Sequence, residues 1–222
     1  MIIDILTLFP LMFEGFINES IMKRAIEKGK VTINVHNIRD YSPFKNKQVD
    51  DYPFGGGSGM VLMCEPIFNA IEDLRREDSL VIMMTPTGKV YNQAVAKELK
   101  EKNHIILLCG HYEGFDERIK SIVDLELSIG DYVLTGGELP AMVITDSIVR
   151  LIDGVITDGS LDSESFTDDL LDYPVYTRPA DFRGMKVPKV LLSGHHENIN
   201  KYRQEERIRV TKENRSDLVK GE

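Results

Sequence analysis

Two apolar stretches, Leu80-Val81-Ile82-Met83-Met84 and His104-Ile105-Ile106-Leu107-Leu108-Cys109, decide the fold class. Each has the length and composition of a strand that is buried on both faces. Between them, residues 92 to 100 have the spacing of an amphipathic helix, and Asn92 is a suitable N-cap for it. A buried strand, a helix and a second buried strand predict a parallel sheet covered on both faces, and therefore an α/β protein.

The neighbouring segments continue this alternation. We predict further strands over 2–9 and 31–36, and further helices over 15–27, 66–76 and 138–151. Residues 153–165 are rich in Asp, Gly, Ser and Thr, a composition typical of a linker. After it we predict helices over 166–171 and 197–214, and we find no strand pattern there. The expected organisation is a main domain over 1–153, a linker over 154–166 and a small helical domain over 167–222.

The composition excludes several classes of protein. With 42% hydrophobic and 28% charged residues, the 222-residue chain has the mix of an ordinary globular protein rather than a disordered one. No apolar run reaches the roughly 18 residues of a membrane span, and the N-terminus lacks the basic region of a secretory signal. Cys64 and Cys109 form no C-x-x-C pair, so we expect neither a disulfide scaffold nor a metal site. A cytoplasmic location fits these features.

The charge is unevenly distributed along the chain. The net charge of −9 argues against a nucleic-acid-binding protein. Residues 183–220, however, contain 10 Lys and Arg against 5 Asp and Glu. A basic tail after an acidic body points to a polyanionic partner. If that partner is a nucleic acid, we expect Lys201, Arg203, Arg207, Arg209 and Lys212 to contact its phosphates.

Three glycine-containing loops could bind a small ligand. They cover residues 85–88, 110–114 and 129–140, and the first two follow directly after the predicted strands. Ligands of open α/β sheets bind beyond the carboxyl ends of the strands, so loops there could surround one small molecule. No G-x-G-x-x-G follows the first strand, which excludes an ordinary dinucleotide-binding protein or a Rossmann-type methyltransferase. The P-loop motif is also absent from the sequence. A further glycine-rich run, 54–60, is predicted to be a flexible loop that could contact the substrate.

The segment Ile129-Gly130-Asp131-Tyr132-Val133-Leu134-Thr135-Gly136-Gly137-Glu138-Leu139-Pro140 resembles the hallmark of the bacterial tRNA (guanine-N1)-methyltransferase (TrmD) family in the SPOUT superfamily. Matching motifs occur along the whole chain, among them Cys109-Gly110-His111-Tyr112-Glu113-Gly114, Tyr176-Thr177-Arg178-Pro179 and Leu191-Leu192-Ser193-Gly194. The resemblance implies a parallel-sheet SPOUT domain with a C-terminal trefoil knot, an exception to the rule that chains stay unknotted. It also implies a homodimer with the active site at the subunit interface and a helical domain that holds tRNA.

The resemblance implies that S-adenosylmethionine is the methyl donor and leaves a magnesium dependence open. It places the donor against the three loops, with contacts from Thr85, Pro86, Gly110, Tyr112, Glu113, Ile129, Gly130, Tyr132, Leu134, Gly136, Gly137 and Pro140. The implied product is 1-methylguanosine at tRNA position 37, next to the anticodon. The alternatives are a SPOUT methyltransferase for another RNA position, or a cofactor- and RNA-binding protein with little turnover.

Methylation at N1 of guanine requires two kinds of side chain. A carboxylate must remove the N1 proton, and a guanidinium can stabilise the negative charge that develops on O6. By motif position, the resemblance implies Arg150 as the guanidinium and Glu164 as the base. The family has Asp where this chain has Glu164, and Asp162 on the same linker is the rival base.

Overall fold

A parallel sheet of five strands lies at the centre of the first part of the chain. The computed structural model describes residues 1–157, 159 and 164–219, and it divides the chain into two units, Met1–Ile156 and Thr157–Glu222. The strands of the first unit are β1 (Ile2–Thr7), β2 (Thr32–Asn37), β3 (Asp50–Asp51), β4 (Val61–Leu62), β5 (Ser79–Val90), β6 (His104–Leu108) and β7 (Leu125–Ser128). The main sheet has the order β2-β1-β6-β5-β7, while β3 and β4 form a small antiparallel pair.

Helices cover both faces of the main sheet. They are α1 (Glu14–Ile17), α2 (Ser20–Glu27), α3 (Cys64–Leu74), α4 (Gln93–Lys100) and α5 (Glu138–Val149). Alternate residues of β6 point to opposite sides: Ile105 and Leu107 pack into the core that α2, α4 and α5 complete, whereas Ile106 and Leu108 pack towards α3. The predicted α/β class, with a parallel sheet buried on both faces, is confirmed.

One local prediction for the first unit is wrong, and one strand of the main sheet was missed. The helix predicted over 15–27 is divided into α1 and α2, because the chain turns at Asn18, whose side-chain amide donates to the carbonyl of Glu14. The strand β7 was not predicted, since its four residues alternate apolar and polar side chains over too short a length. It forms because it adds to the edge of the sheet beside β5. The predicted cap of α4 is confirmed, as Asn92 Oδ1 accepts from Val95 N at 3.1 Å.

The second unit contains one long helix and a short hairpin. Helix α6 spans His196–Asn214, close to the prediction. The hairpin pairs β8 (Asp181–Phe182) with β9 (Met185–Lys186), which corrects the expectation of no strand. Its two turn residues, Arg183 and Gly184, both have positive φ, the backbone that a tight two-residue hairpin requires. Among the described residues, no helix is long and apolar enough to cross a membrane.

The helix predicted over 166–171 is also wrong. Phe166 and Asp169 have φ values of 69° and 63°, which a right-handed helix cannot contain. The segment is instead a tight turn in which Phe166 N donates to the carbonyl of Leu170 at 2.8 Å. Asp168 at its centre pairs with the guanidinium of Arg207, which is 7% exposed. The pattern that predicted a helix over 166–171 therefore belongs to a turn, which the ion pair between Asp168 and Arg207 connects to α6.

A buried carboxylate joins three strands of the sheet. Asp4 on β1 accepts from Asn34 Nδ2 at 2.8 Å and lies 2.9 Å from His36 Nε2, both on β2. Its other oxygen lies 2.6 Å from Nε2 of His104 on β6, whose Nδ1 contacts Ser79 Oγ at 2.6 Å. Burial acts to raise the pKa of Asp4, but the hydrogen bonds from His36, Asn34 and His104 outweigh it and lower that pKa to about 2.

This lowered pKa predicts a loss of stability in acid. Because the folded pKa lies below the usual value of 3.8, Asp4 stabilises the fold fully above pH 4, and its contribution of about 2 kcal/mol disappears as the pH falls towards 2. Asp4→Asn should lower the free energy of unfolding by about that amount at pH 7, and by about half as much at pH 3. Urea unfolding at both pH values measures this difference. Asp40→Asn, which removes an exposed ion pair to Lys47, is the control and should change stability by less than about 1 kcal/mol. An equal loss for Asp4→Asn at both pH values would contradict the assignment.

Candidate active site

The first wall of the site is a bulge in β5. The strand continues past Met84, where the prediction ended it, but Met84 and Lys89 both lie opposite Leu127, so the four residues between them bulge out of the sheet. Thr85 Oγ1 lies 2.9 Å from Thr87 Oγ1 and also accepts from the backbone N of Thr87. A Cβ on Gly88 would lie 2.5 Å from Leu127 N. Glycine is therefore required where β5 comes back to pair with β7 after the bulge.

The second wall is the loop after β6. Gly110 lies against the ring of Phe115, with 2.7 Å between the ring and a Cβ built on the glycine. Tyr112 adopts a positive φ of 58°, and its N donates to His111 Nδ1 at 3.0 Å. Glu113 N donates to the carbonyl of Met60, which joins this loop to the glycine-rich run over 54–60. That run therefore borders the site.

The third wall is the segment from β7 to α5. Gly130 N donates to Ser128 Oγ, which donates in turn to the carbonyl of Gly130, so the chain turns immediately after the strand. At the other end of the segment, Gly137 N donates to the carbonyl of Gly110 at 2.8 Å. This bond fixes the start of α5 against the end of β6.

A buried pair of side chains supports this junction. Glu138 is 2% exposed, and its Oε1 accepts from Thr7 Oγ1 at 2.7 Å. Thr7 Oγ1 also accepts from the backbone N of Phe9, so the end of β1 is joined to the first turn of α5. A Cβ on Gly136 would lie 2.3 Å from Glu138 Oε2, and one on Gly137 would lie 2.7 Å from Cys109 Cα. The backbone contact makes glycine necessary at position 137, whereas at position 136 the Glu138 side chain would have to move.

The three walls enclose one cavity of about 460 Å³. It lies at the carboxyl ends of β6, β5 and β7, which are neighbours in the sheet. The structure brings together in its lining every residue that was predicted to contact the cofactor: Thr85, Pro86, Gly110, Tyr112, Glu113, Ile129, Gly130, Tyr132, Leu134, Gly136, Gly137 and Pro140. The size is that of a site for a small organic ligand.

The cavity also contains residues that were not predicted. Lys120 and Glu117 come from the short 3₁₀ helix Glu117–Ile122, and they pair with each other at 3.0 Å. His111 and Phe115 lie within or beside the Gly110–Gly114 loop, and this proximity is the sequence signal that could have identified them. Glu113 differs from Glu117, since its carboxylate has no hydrogen bond or ion pair with any described residue.

Of the two predicted catalytic residues, Arg150 belongs to the unit that contains this cavity but is not part of its lining. Arg150 is the C-cap of α5, ten residues after Pro140, so it lies about 15 Å further along the helix axis. Glu164 belongs to the second unit, where its carbonyl accepts from Thr167 N at 3.2 Å. The rival base, Asp162, and part of the predicted linker over 154–166 lie outside the described residues.

Asp168 and Cys109 lie in surroundings that limit their reactivity. Asp168 has a lowered pKa because Arg207 donates hydrogen bonds to it, and this keeps the carboxylate charged and weakly basic. Cys109 is buried, and burial raises the pKa of its thiol. Cys64 and Cys109 are both free thiols. The part of the chain that the structure describes contains no group of three or more His, Cys, Asp or Glu residues that could hold a metal ion.

The fold and the cavity define the class: an α/β protein with a ligand site formed by loops at the carboxyl edge of a parallel sheet. Comparison with known proteins is more specific. The family described as tRNA (Guanine-1)-methyltransferase TrmD matches residues 1–221. A tRNA (guanine-N(1)-)-methyltransferase of Dictyoglomus turgidum is 56% identical over 98% of this chain and 89% of its own length. A relative with the same name from Clostridioides difficile is 57% identical over 97% of this chain and 96% of its own. The chain belongs to the TrmD family and is therefore an enzyme, a methyltransferase.

Proposed function

We propose that the chain transfers a methyl group from S-adenosylmethionine to N1 of guanosine at position 37 of tRNA, next to the anticodon. The family match and the names of the relatives support methylation of guanine N1 in tRNA. The observation that carries the proposal is the meeting of three loops from neighbouring strands in one cavity. Since tRNA is the substrate, the proposed location is the cytoplasm.

The residues of the cavity fit the methyl donor. A Cβ on Gly137 would meet the backbone of Cys109 and Gly110, whereas one on Gly110 or Gly136 would meet neighbouring side chains. These glycines leave peptide groups to read the polar edges of a ligand. Pro86, Ile129, Leu134 and Pro140 supply apolar surface for its base. S-adenosylmethionine supplies a methyl group already activated by a positively charged sulfur. The carboxylate of Glu113, which pairs with no described residue, would stabilise that positive charge.

The catalytic groups act on the guanine. Glu164 accepts the N1 proton and so makes N1 nucleophilic, and the Arg150 guanidinium stabilises the charge that develops on O6. The proposed linker over 154–166 carries Glu164 to the target base. We place the proposed trefoil knot in the chain that follows β7, where the Gly137 to Gly110 hydrogen bond holds α5 against β6.

A homodimer would complete the site. Arg150 lies about 15 Å from Pro140 along α5, so it is remote from the cavity of its own subunit. The outer face of α5 exposes Leu139 and Val143, and the neighbouring turn exposes Leu11 and Met12. Exposed apolar side chains on adjoining elements indicate a contact surface, and a second copy of this chain is the proposed occupant. The partner's Arg150 would then reach the bound guanosine.

This dimer predicts the effect of a charge on α5. Val143→Glu places a carboxylate on the proposed contact in both subunits, where it would be buried without a partner. We expect monomers at micromolar concentration in sedimentation velocity, and at least a tenfold loss of methyl transfer. Ala94→Glu, at an exposed position of α4, is the matched control and should remain dimeric and active. A dimeric, fully active Val143→Glu protein would exclude this surface.

The second unit is the proposed tRNA-binding part. Its residues 183–220 carry an excess of basic side chains, although the expected phosphate contacts need a correction. Arg207 is buried in an ion pair with Asp168, and Arg209 pairs with Glu206 and Glu213, so neither is available as expected. Lys201, Arg203 and Lys212 remain candidates. The proposed domain roles are thus methyl donor binding over 1–153 and tRNA binding over 167–222.

A methylation assay tests the function. Radiolabelled S-adenosylmethionine is incubated with tRNA transcripts that have guanosine or adenosine at position 37. Label should enter the first transcript alone, and nuclease mapping should recover 1-methylguanosine. Equal labelling of both would favour a SPOUT methyltransferase for another position. Binding of donor and tRNA without transfer, under single-turnover conditions, would favour a binding protein. A chelator in the same assay tests the magnesium dependence.

A further inference from the structure

A second cavity, of about 480 Å³, lies within the second unit. Tyr173 and Tyr176 line it, together with Leu192, Arg178 and Arg203. Helix α6 contributes Arg203, while the tyrosines and Arg178 come from the segment before the hairpin. Tyr176 and Leu192 are exposed, so apolar and aromatic surface is available to a ligand there. This cavity has no part in the proposed transfer chemistry.

The arginines of this cavity differ from three other arginines of the second unit. Arg207, Arg209 and Arg215 each bind a carboxylate of a neighbouring residue. By contrast, neither Arg178 nor Arg203 makes an ion pair or hydrogen bond with any described residue.

The surroundings of Arg203 favour the binding of a ligand to its guanidinium. Its guanidinium carbon lies 4.8 Å from the centre of the Tyr173 ring, which orients the group. Its Nε is shielded from solvent and lacks a hydrogen-bond partner among the described residues. An oriented guanidinium with an unused donor, beside a second unpaired guanidinium, is suited to an anion such as a phosphate.

We propose that this cavity binds one unpaired nucleotide of the tRNA, with its phosphate on Arg203 and Arg178 and its base against Tyr176 and Leu192. The proposal rests on the proposed function for the identity of the RNA. Cationic groups and an exposed aromatic ring are the combination by which proteins hold single-stranded nucleotides. A double-stranded segment would offer no free base face to the ring, so the site selects a loop or an unpaired position.

Binding of a full-length tRNA transcript to the full chain tests the proposal. Arg178→Gln and Arg203→Gln should each lower the affinity about tenfold at 0.1 M salt, and each should reduce the slope of log K against log salt by about one. Tyr176→Ala should lower the affinity about tenfold with an unchanged slope, whereas Tyr176→Phe, which keeps the ring, should bind within about threefold of the unmodified chain. Arg209→Gln, whose guanidinium already has carboxylate partners, is the matched control and should change affinity less than twofold. Arg178 is exposed, so its substitution leaves folding intact even if that of Arg203 does not.

The outcomes separate this proposal from the function itself. If the unmodified chain methylates guanosine 37 but Arg178→Gln and Tyr176→Ala bind tRNA normally, the nucleotide site is wrong and the function stands. If the variants lose affinity as expected but the unmodified chain transfers no methyl group to tRNA, the nucleotide site stands and the proposed function is wrong. Equal losses for Arg209→Gln and Arg178→Gln would overturn the site, because charge alone would explain them. Unchanged tRNA affinity with loss of the dimer would also overturn it and make the cavity a subunit contact.

Discussion

Gly137→Ala is expected to lower the affinity for S-adenosylmethionine at least 100-fold. The new Cβ would lie 2.7 Å from Cys109 Cα and 2.7 Å from Gly110 N, which are backbone atoms at the end of the central strand. Carbon atoms pack at about 3.5–4 Å, so α5 and the Gly110 loop would have to separate by about 1 Å. The hydrogen bond from Gly137 N to the carbonyl of Gly110 would break, and two walls of the cavity would move apart.

Calorimetric titration with S-adenosylmethionine measures this loss, and thermal unfolding measures the effect on the fold. Gly15→Ala is the matched control, because a Cβ at that position meets no atom within 4 Å and the residue lies in a helix. It should leave the affinity unchanged and stability equal or slightly higher. Gly136→Ala should have an intermediate effect, since its nearest neighbour is the end of the Glu138 side chain. Affinity within twofold of the unmodified chain for Gly137→Ala would show that this junction does not shape the site.

The main sheet could be predicted from a few residues. Five or six consecutive apolar residues, as in β5 and β6, have few structural alternatives when an amphipathic helix separates them. The same reasoning located the cavity, because the carboxyl ends of neighbouring parallel strands meet at one edge. The strand β7 could not be predicted in this way, since Leu125–Ser128 is stabilised by its neighbour β5 rather than by its own composition.

Contacts between distant residues account for the other failures. Arg207 has the sequence context of an exposed basic residue on α6, but it is buried and pairs with Asp168, which is far from it in sequence and half exposed. The turn that contains Asp168 depends on positive φ values at Phe166 and Asp169, and neither residue type indicates such a backbone strongly. Likewise, only the structure shows that Arg178 and Arg203 have no carboxylate partner among the described residues. Charge counts along a sequence therefore overestimate the number of basic groups that are available to RNA.

Glu164→Gln is expected to lower the rate of methyl transfer at least 100-fold, which is the smallest effect typical of a lost general base. The amide has nearly the same shape as the carboxylate but cannot accept the N1 proton. Other acids of this segment are weaker candidates: Asp168 is held by Arg207, and Asp172 Oδ1 accepts from Tyr173 N at 2.7 Å. The backbone next to Glu164 is anchored, since Thr167 N donates to its carbonyl and Ser165 Oγ accepts from Asp172 N.

Single-turnover transfer to the guanosine-37 transcript measures the effect, with the affinities for the methyl donor and for tRNA determined on the same protein. Both affinities should change less than twofold, because the substitution removes a proton acceptor and little volume. Glu164→Asp keeps the carboxylate but withdraws it by about 1 Å, so it should retain more activity than Glu164→Gln while falling below the unmodified chain.

Asp162→Asn is the decisive comparison. If it is inactive while Glu164→Gln keeps most of its rate, Asp162 is the base, and if neither substitution slows transfer, the proton acceptor lies outside this linker. A selective loss for Glu164→Gln, with partial activity in Glu164→Asp, would show that the Glu164 carboxylate accepts the N1 proton.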